Sequence, residues 1–257
     1  MFKRIALTII AGGTGLLARM FWNAFHATQK YEVFELKAPR QFEPFRMLFI
    51  SDIHRRKLQP GFAEGTPDII IIGGDLAEGG VPPERVRHNL EVLAAMAPAY
   101  FIWGNNDREL REQKLRRMFA ETGVTILENE SVNLFGNPHL KLISFDYFAF
   151  KRNGLQEAFK GVDEQDTVIF LSHTPEIFDH VQNRYPVHLM VAGHTHGGQI
   201  RLGKYGLYEK GKTETTNGVI RLISNGYGTT QLPLRLGAEA EFHLLTIRPT
   251  TEAAGAE

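Results

Sequence analysis

Ile69-Ile70-Ile71-Ile72, set between Asp68 and Gly73, leaves this chain few choices of fold. Four β-branched residues in a row are too few for a helix and show no in/out alternation. They read as a strand buried on both faces, the pattern of a parallel sheet covered by helices. Four further apolar runs share that character: Arg46 to Ser51, Ala99 to Trp103, Thr167 to Leu171 and His188 to Ala192. Between them lie helix signals. Pro82 and Pro83 open a helix through about Ala97 that Pro98 stops, and a charged helix from about Arg108 to Thr122 is closed by Gly123. Shorter helices are expected around Leu155 to Phe159 and Glu176 to Asn183.

The remaining segments complete the expectation. Tyr31 to Lys37 alternates as an edge strand, and Val219 to Ile223 and Glu241 to Ile247 read as strands among glycine-rich turns. Val124 to Leu127, Val132 to Phe135 and Leu140 to Phe145, split by Glu-Asn and Gly-Asn-Pro turns, suggest antiparallel strands. No repeat is evident, and 257 residues suit one globular domain with an appendage.

That appendage is the N-terminus. Lys3-Arg4 precedes the uncharged run Ile5 to Ala18, shorter than the roughly 20 residues of a full span unless Met20-Phe21-Trp22 extends it. No small-x-small cleavage pattern follows, so retention as an anchor is expected. The positive-inside rule then puts the remainder on the extracytoplasmic side. A peripheral amphipathic helix on a cytoplasmic protein, or a cleaved signal on a secreted one, are the alternatives. The reading divides the chain into 1–28 as signal or anchor, 29–249 as the domain and 250–257 as a disordered tail.

The chemistry lies where the apolar runs end. They finish in Asp52-Ile53-His54, Gly73-Gly74-Asp75, Gly104-Asn105-Asn106-Asp107, Ser172-His173-Thr174-Pro175 and Gly193-His194-Thr195-His196-Gly197-Gly198-Gln199-Ile200. In open α/β sheets ligands bind beyond the carboxyl ends of strands. Solvated histidines would have no reason to collect there. With no cysteine in the chain, thiol catalysis and zinc–thiolate sites are excluded, so a metal would sit on nitrogen and oxygen. Acidic and basic residues balance at 29 each, which removes the net field a nucleic-acid polymer would need.

In order and approximate spacing these five blocks, over about residues 46 to 200, resemble the calcineurin-like metallophosphoesterases. The His-Gly-Gly-Gln that closes them is similar to the bacterial membrane-associated or exported branch. The resemblance implies an α/β (α+β mixed) fold of two packed mixed β-sheets flanked by helices. It also implies a hydrolase of phosphomonoesters or phosphodiesters that uses metal-activated hydroxide. Carried across, one cation takes Asp52, His54, Asp75 and His196, and a second takes Asp75, Asn105, His173 and His194, with Asp75 bridging. Such ligands favour Mn, Fe or Zn, with Mg less suited. Two cations clamp a phosphoryl oxygen and acidify a bridging water.

One departure stands out. Where the family has histidine as the group that protonates or stabilises the leaving oxygen, this chain has Asn106, which donates a hydrogen bond but no proton. Together with Asp107, expected either to orient the site or to cap the next helix, it completes the catalytic candidates. A non-catalytic binding module and an intracellular nucleotide phosphodiesterase are the competing readings. Membrane placement points to a lipid-linked, nucleotide-sugar or cell-envelope phosphate as substrate.

Elsewhere the bland reading is preferred. His88 is expected to be solvated, and His139, His180 and His188 to be surface or satisfied polar groups. Trp103 is expected in the core and Arg55-Arg56 in a solvated loop. Asn225-Gly226-Tyr227-Gly228 is either a tight turn or part of a phosphate-facing rim.

Overall fold

In the computed structural model, which describes residues 1–149 and 153–250, two six-stranded sheets pack face to face. The first has strand order β1-β12-β2-β3-β4-β5, with β1 at Thr28–Leu36, β2 at Phe45–Ile50, β3 at Ile69–Ile72, β4 at Ala99–Phe101, β5 at Thr125–Ile126 and β12 at Glu241–Pro249. The second runs β10-β11-β9-β8-β7-β6, from β6 at Glu130–Asn133, β7 at Leu140–Phe145, β8 at Thr167–Ser172, β9 at Leu189–Ala192, β10 at Lys212–Thr216 and β11 at Val219–Ile223. Both are mixed, with β2-β3-β4-β5 parallel in one and β7-β8-β9-β11 parallel in the other.

The unbroken apolar runs are explained by burial on both faces. In β2, Met47 and Phe49 point into the core between the sheets beside Leu171 and Val191. Leu48 and Ile50 point out under the helices α2 (Pro83–Ala94) and α3 (Glu112–Thr122). The second sheet repeats this, its outer residues Val168, Phe170 and Met190 covered by α4 (Gly154–Ala158) and α5 (Phe178–Gln182). Four layers result, helix on sheet on sheet on helix, as the sequence led us to expect.

Some expectations are corrected. The stretch from 124 to 145 is not one antiparallel unit: β5 joins the first sheet parallel to β4, and only β6 and β7 pair antiparallel in the second. Periodicity cannot say which sheet a two-residue strand joins. His88 is half-buried, its Nε2 2.9 Å from the Leu58 carbonyl, rather than solvated. Arg56 is not in a solvated loop, because it donates to the Ala24 and Phe25 carbonyls and stacks on Phe25 and Tyr227. Strand β10 had no clear sequence signal. Of the expected tail, Thr250 is bonded to the Leu36 carbonyl and the rest lies outside the described residues.

At the N-terminus, α1 (Phe2–Phe25) is a 24-residue helix with only Met20 and Ala24 buried. It is longer than the apolar run of the sequence because Arg19 and Met20 continue it. At 1.5 Å per residue it extends about 36 Å, enough to cross a bilayer.

A polar cluster around the buried His243 ties the two sheets together. His243 on β12 sets Nδ1 2.9 Å from Glu32 Oε1 and Nε2 3.1 Å from Ser224 Oγ, and Thr213 of the second sheet donates to Glu32. Burial alone would lower the His243 pKa, but Glu241 and Glu32 hold it above its ordinary value. A raised histidine pKa stabilises the fold fully below the unfolded value and loses that contribution as pH rises through the folded one. We therefore expect His243→Leu to cost about 3 kcal/mol at pH 6 and less at pH 9, read from urea midpoints beside the parent protein. An equal loss at both pH values would remove the charge from the account.

Candidate metal centre

Five parallel strands deliver the site. Asp52 and His54 follow β2, Asp75 follows β3, Asn105 follows β4, His173 follows β8, and His194 and His196 follow β9. Because β2, β3 and β4 run parallel in one sheet, β8 and β9 run parallel in the other, and the two sheets pack with these ends together, seven residues distant in sequence meet at one edge. Asp52, His54 and His196 form one group and Asp75, His173 and His194 another, the candidate ligand atoms of each lying within 4.8 Å of one another.

The backbone that presents them is strained. Asp52, His54, Asp75, His194 and His196 all have positive φ, between 49° and 70°. Side chains rarely tolerate that conformation, which costs about 1 kcal/mol or more each and persists only where neighbours enforce it. Here the loops bond one another: Asp52 N donates to Gly74 O, His54 N to Asp75 O, and Gly228 N to Asp52 O, at 2.9, 3.1 and 2.7 Å. Two of the glycines in these blocks have a clear steric cause. A Cβ on Gly104 would lie 2.2 Å from Asp75 Oδ1, and one on Gly193 would lie 2.3 Å from Ser51 Oγ.

Ring nitrogens that would normally avoid each other converge. His54 Nε2 and His196 Nε2 are 3.1 Å apart, as are His173 Nε2 and His194 Nδ1 at 3.2 Å. Asp75 Oδ2 lies between the two pairs, 3.8 Å from His54 Nε2 and 3.4 Å from His173 Nε2. Its other oxygen accepts from the Asn106 backbone N–H at 2.8 Å. Asn105 Oδ1 is buried without a hydrogen-bond partner among the described residues, an atom whose lone pairs call for a cation. The donor set of imidazole, carboxylate and one amide oxygen suits two divalent cations of the transition series.

Neighbouring groups set the charges. Burial would raise Asp52, but the imidazoles of His196, His173 and His54 and the Ser51 hydroxyl hold it well below the usual carboxylate range. Burial pushes His196 down to about 3, helped by His54 and by Arg235. His173 goes the other way: against its burial, the Asp75 carboxylate lifts it to about 10. Its Nδ1–H donates to Gly73 O at 2.8 Å, which turns Nε2 into the site.

Asn106 and Asp107 separate into different places. Asn106 lines the cavity, yet its amide is engaged: Oδ1 accepts from Asn105 Nδ2 at 2.9 Å and Nδ2 donates to Glu109 Oε1 at 2.8 Å. Asp107 sits behind the site, fully buried. It accepts from the backbone N–H groups of Asp75, Gly104 and Ala77 at 2.8, 2.9 and 3.2 Å, so it shapes the Asp75 loop and does not cap the next helix. Burial and the nearby Asp75 charge raise it to about 7. Asn225 to Gly228 likewise packs behind Asp52 and does not line the cavity, where a Cβ on Gly226 would lie 2.7 Å from Asp52 Cβ.

Several contributors carried no sequence signal. Glu78 Oε2 lies 3.1 Å from His54 Nδ1, and Arg235 Nη2 lies 3.1 Å from His196 Nδ1. Phe148 and Tyr208 flank His194, with ring centroids 5.6 and 6.4 Å away. Gln199, by contrast, belongs to the His-Gly-Gly-Gln run already noted, and it ties the cavity walls together, donating to the Thr230 and Leu232 carbonyls at 3.1 and 3.0 Å. The cavity holds about 400 Å³ and opens between Asn105, Asn106 and His194 on one side and Ile200, Leu207, Tyr208 and Leu232 on the other.

Comparison with known proteins agrees with this arrangement. The family model described as calcineurin-like phosphoesterase matches residues 45–198. The uncharacterized protein YpbG of Bacillus subtilis is 40% identical over 250 residues, covering 95% of this chain and 96% of that protein. The uncharacterized metallophosphoesterase YkuE of Bacillus subtilis is 25% identical, over 97% of this chain and 96% of its own length. Phosphodiesterase YaeI of Escherichia coli is 28% identical over 62% of this chain and 63% of that enzyme.

Proposed function

Because the chain belongs to the calcineurin-like phosphoesterase family, we propose that it is a membrane-anchored hydrolase of phosphomonoesters or phosphodiesters built on two divalent cations. The coarse activity, metal-dependent phosphoesterase, comes with the family. Our finer reading gives one cation to Asp52, His54, Asp75 and His196, and the other to Asp75, Asn105, His173 and His194. The observation that carries it is Asp75 Oδ2 lying between two groups of converging imidazole nitrogens. Mn, Fe and Zn fit these ligands better than Mg.

When bound, the cations supply Lewis acidity toward phosphoryl oxygens and an acidified water as nucleophile. The chain's own residues do the rest. Glu78, Gly73 O and the Asp52 hydrogen bonds fix the ligand rings and carboxylates before substrate arrives, so little reorganisation accompanies the reaction. Asn106, on the cavity wall, offers an amide and no acid, so the leaving oxygen departs without a proton from this position. Esters with good leaving groups are therefore favoured. Residues 1–28 serve as the anchor and 29–249 as the catalytic domain, placed on the extracytoplasmic side.

Purified full-length protein loaded with Mn should hydrolyse bis-4-nitrophenyl phosphate. Metal uptake without turnover would instead favour a binding module. Asn106→His should accelerate alkyl phosphate esters by roughly 10²-fold while changing nitrophenyl esters little, because only poor leaving groups need a proton. Equal acceleration of both would refute the role given to position 106.

A further inference from the structure

The mouth of the cavity is more apolar than phosphate chemistry requires. Leu207 and Leu232 on its wall are 91% and 57% exposed, and just outside it Leu202 and Tyr205 are 72% and 71% exposed. Exposed apolar side chains gathered around one cavity mouth, three of them on the loop 200–208, mark a contact surface. This loop is also built firmly. Leu202 and Tyr205 exchange backbone hydrogen bonds at 2.9 and 3.1 Å across a Gly203-Lys204 turn. The buried Arg201 guanidinium donates to Gly197 O, Lys204 O and Tyr208 O, fastening the loop to the turn that carries His196.

The end of α1 meets the same layer of loops. Met20 O accepts from Arg235 N at 2.9 Å, and Asn23 Nδ2 donates to Arg235 O at 3.4 Å. Arg56, two residues past His54, donates to the Ala24 and Phe25 carbonyls. Arg235 is three residues from Leu232, so at most about 11 Å of extended chain separates the helix contact from the cavity wall. The apolar helix thus leaves the domain from the edge that holds the candidate metal centre.

We propose that Leu202, Tyr205, Leu207 and Leu232 sit in the surface of the bilayer that α1 spans, and that the substrate is a phosphate ester bearing a long apolar chain, received from that membrane. This rests on the phosphoesterase and anchor readings above. The ester's phosphate reaches the candidate metal centre while its chain stays among the rim residues and lipid. Lys204 at the turn's tip is placed to meet lipid phosphates.

The test uses the full chain reconstituted in phosphatidylcholine–phosphatidylglycerol vesicles. Since the protein has no cysteine, single cysteines at Leu202, Tyr205, Ile9 and Glu164 each take one environment-sensitive fluorophore. Glu164 precedes β8 at the opposite strand edge and is exposed. Labels at 202, 205 and 9 should shift to the blue and be quenched by nitroxide lipids, and the label at 164 should do neither. Aqueous labels at 202 and 205 with a buried label at 9 overturn the proposal, whereas an aqueous label at 9 sinks the anchor reading beneath it. A blue shift at 202 without vesicles reports a protein contact instead and also overturns it.

Turnover supplies the second readout. In vesicles, kcat/KM for hexadecyl 4-nitrophenyl phosphate should exceed that for the methyl ester by about tenfold or more, and the Leu202→Glu/Tyr205→Glu double variant should bring the two close together. Equal rates in the parent protein refute the substrate class. Hydrolysis of neither ester, with labels at 202 and 205 embedded, would leave the bilayer contact standing and remove the phosphoesterase reading along with the substrate.

Discussion

Asp75→Asn is expected to lower the bound divalent metal from two ions per chain to one or fewer and to cut hydrolysis of bis-4-nitrophenyl phosphate by about 10³-fold or more. The reason is position. Asp75 Oδ2 is the atom that lies near ring nitrogens of both groups, His54 and His173, so the charge it carries is shared by both. A two-metal clamp contributes several kcal/mol to the transition state, and each 1.36 kcal/mol is a factor of ten. The fold should survive, because the Asp75 backbone is held from behind by Asp107 through its own N–H. Asn105→Ala provides the comparison, since the proposed scheme gives Asn105 to one cation only, and its loss should cost one ion. Elemental analysis of metal per chain, measured with turnover, separates the two. Parent-like stoichiometry and rate in Asp75→Asn would remove the shared carboxylate from the scheme.

Arg235→Met is expected to lower the melting temperature by about 10 °C and to weaken metal binding roughly 10- to 100-fold. This arginine is fully buried and, among the described residues, has no ion-pair partner. Its guanidinium donates instead to the carbonyls of Gly228, Asn225, Gly226, Ala238 and His196, and lies against His196 Nδ1. Burial pulls its pKa down to about 10, which still leaves it charged at neutral pH. Removing it orphans several buried carbonyls at once, a loss of about 3–5 kcal/mol. In a chain of this length each kcal/mol shifts melting by about 2–4 °C. Metal affinity falls because His196 loses the group that orients it. Arg235→Lys should fail to rescue, since a single ammonium cannot satisfy acceptors spread around a planar fork. Calorimetry and a competitive metal titration test both halves, and a Met variant that melts with the parent would contradict the assigned role.

The legible part of the protein follows from short-range rules. The runs Ile69 to Ile72, Arg46 to Ser51 and His188 to Ala192 announced doubly buried strands, found at Ile69–Ile72, Phe45–Ile50 and Leu189–Ala192, and Pro83 and Gly123 marked real helix boundaries. The seven ligand candidates were legible because each follows such a strand directly, and parallel strands bring their carboxyl ends to one edge. Asp107 was singled out, but its location behind the site was not, since a carboxylate that accepts three backbone N–H groups looks the same in sequence as one facing solvent. Glu78, Arg201 and Arg235 gave no signal at all: their partners are main-chain carbonyls, the Arg55 guanidinium or a histidine, brought close by folding.

What the amino-acid order determined alone was the element pattern, the residue types at the strand ends and, through the absence of cysteine, the nitrogen and oxygen character of any metal site. Only the tertiary structure decided how the two sheets meet, that five ligand candidates sit at positive φ, that the apolar loop 200–208 borders the cavity and that α1 leaves from the same edge. The division is physical. Strand and helix patterns arise from neighbours along the chain, whereas strained loops, buried guanidinium contacts and a shared carboxylate exist only where loops from different strands press against each other.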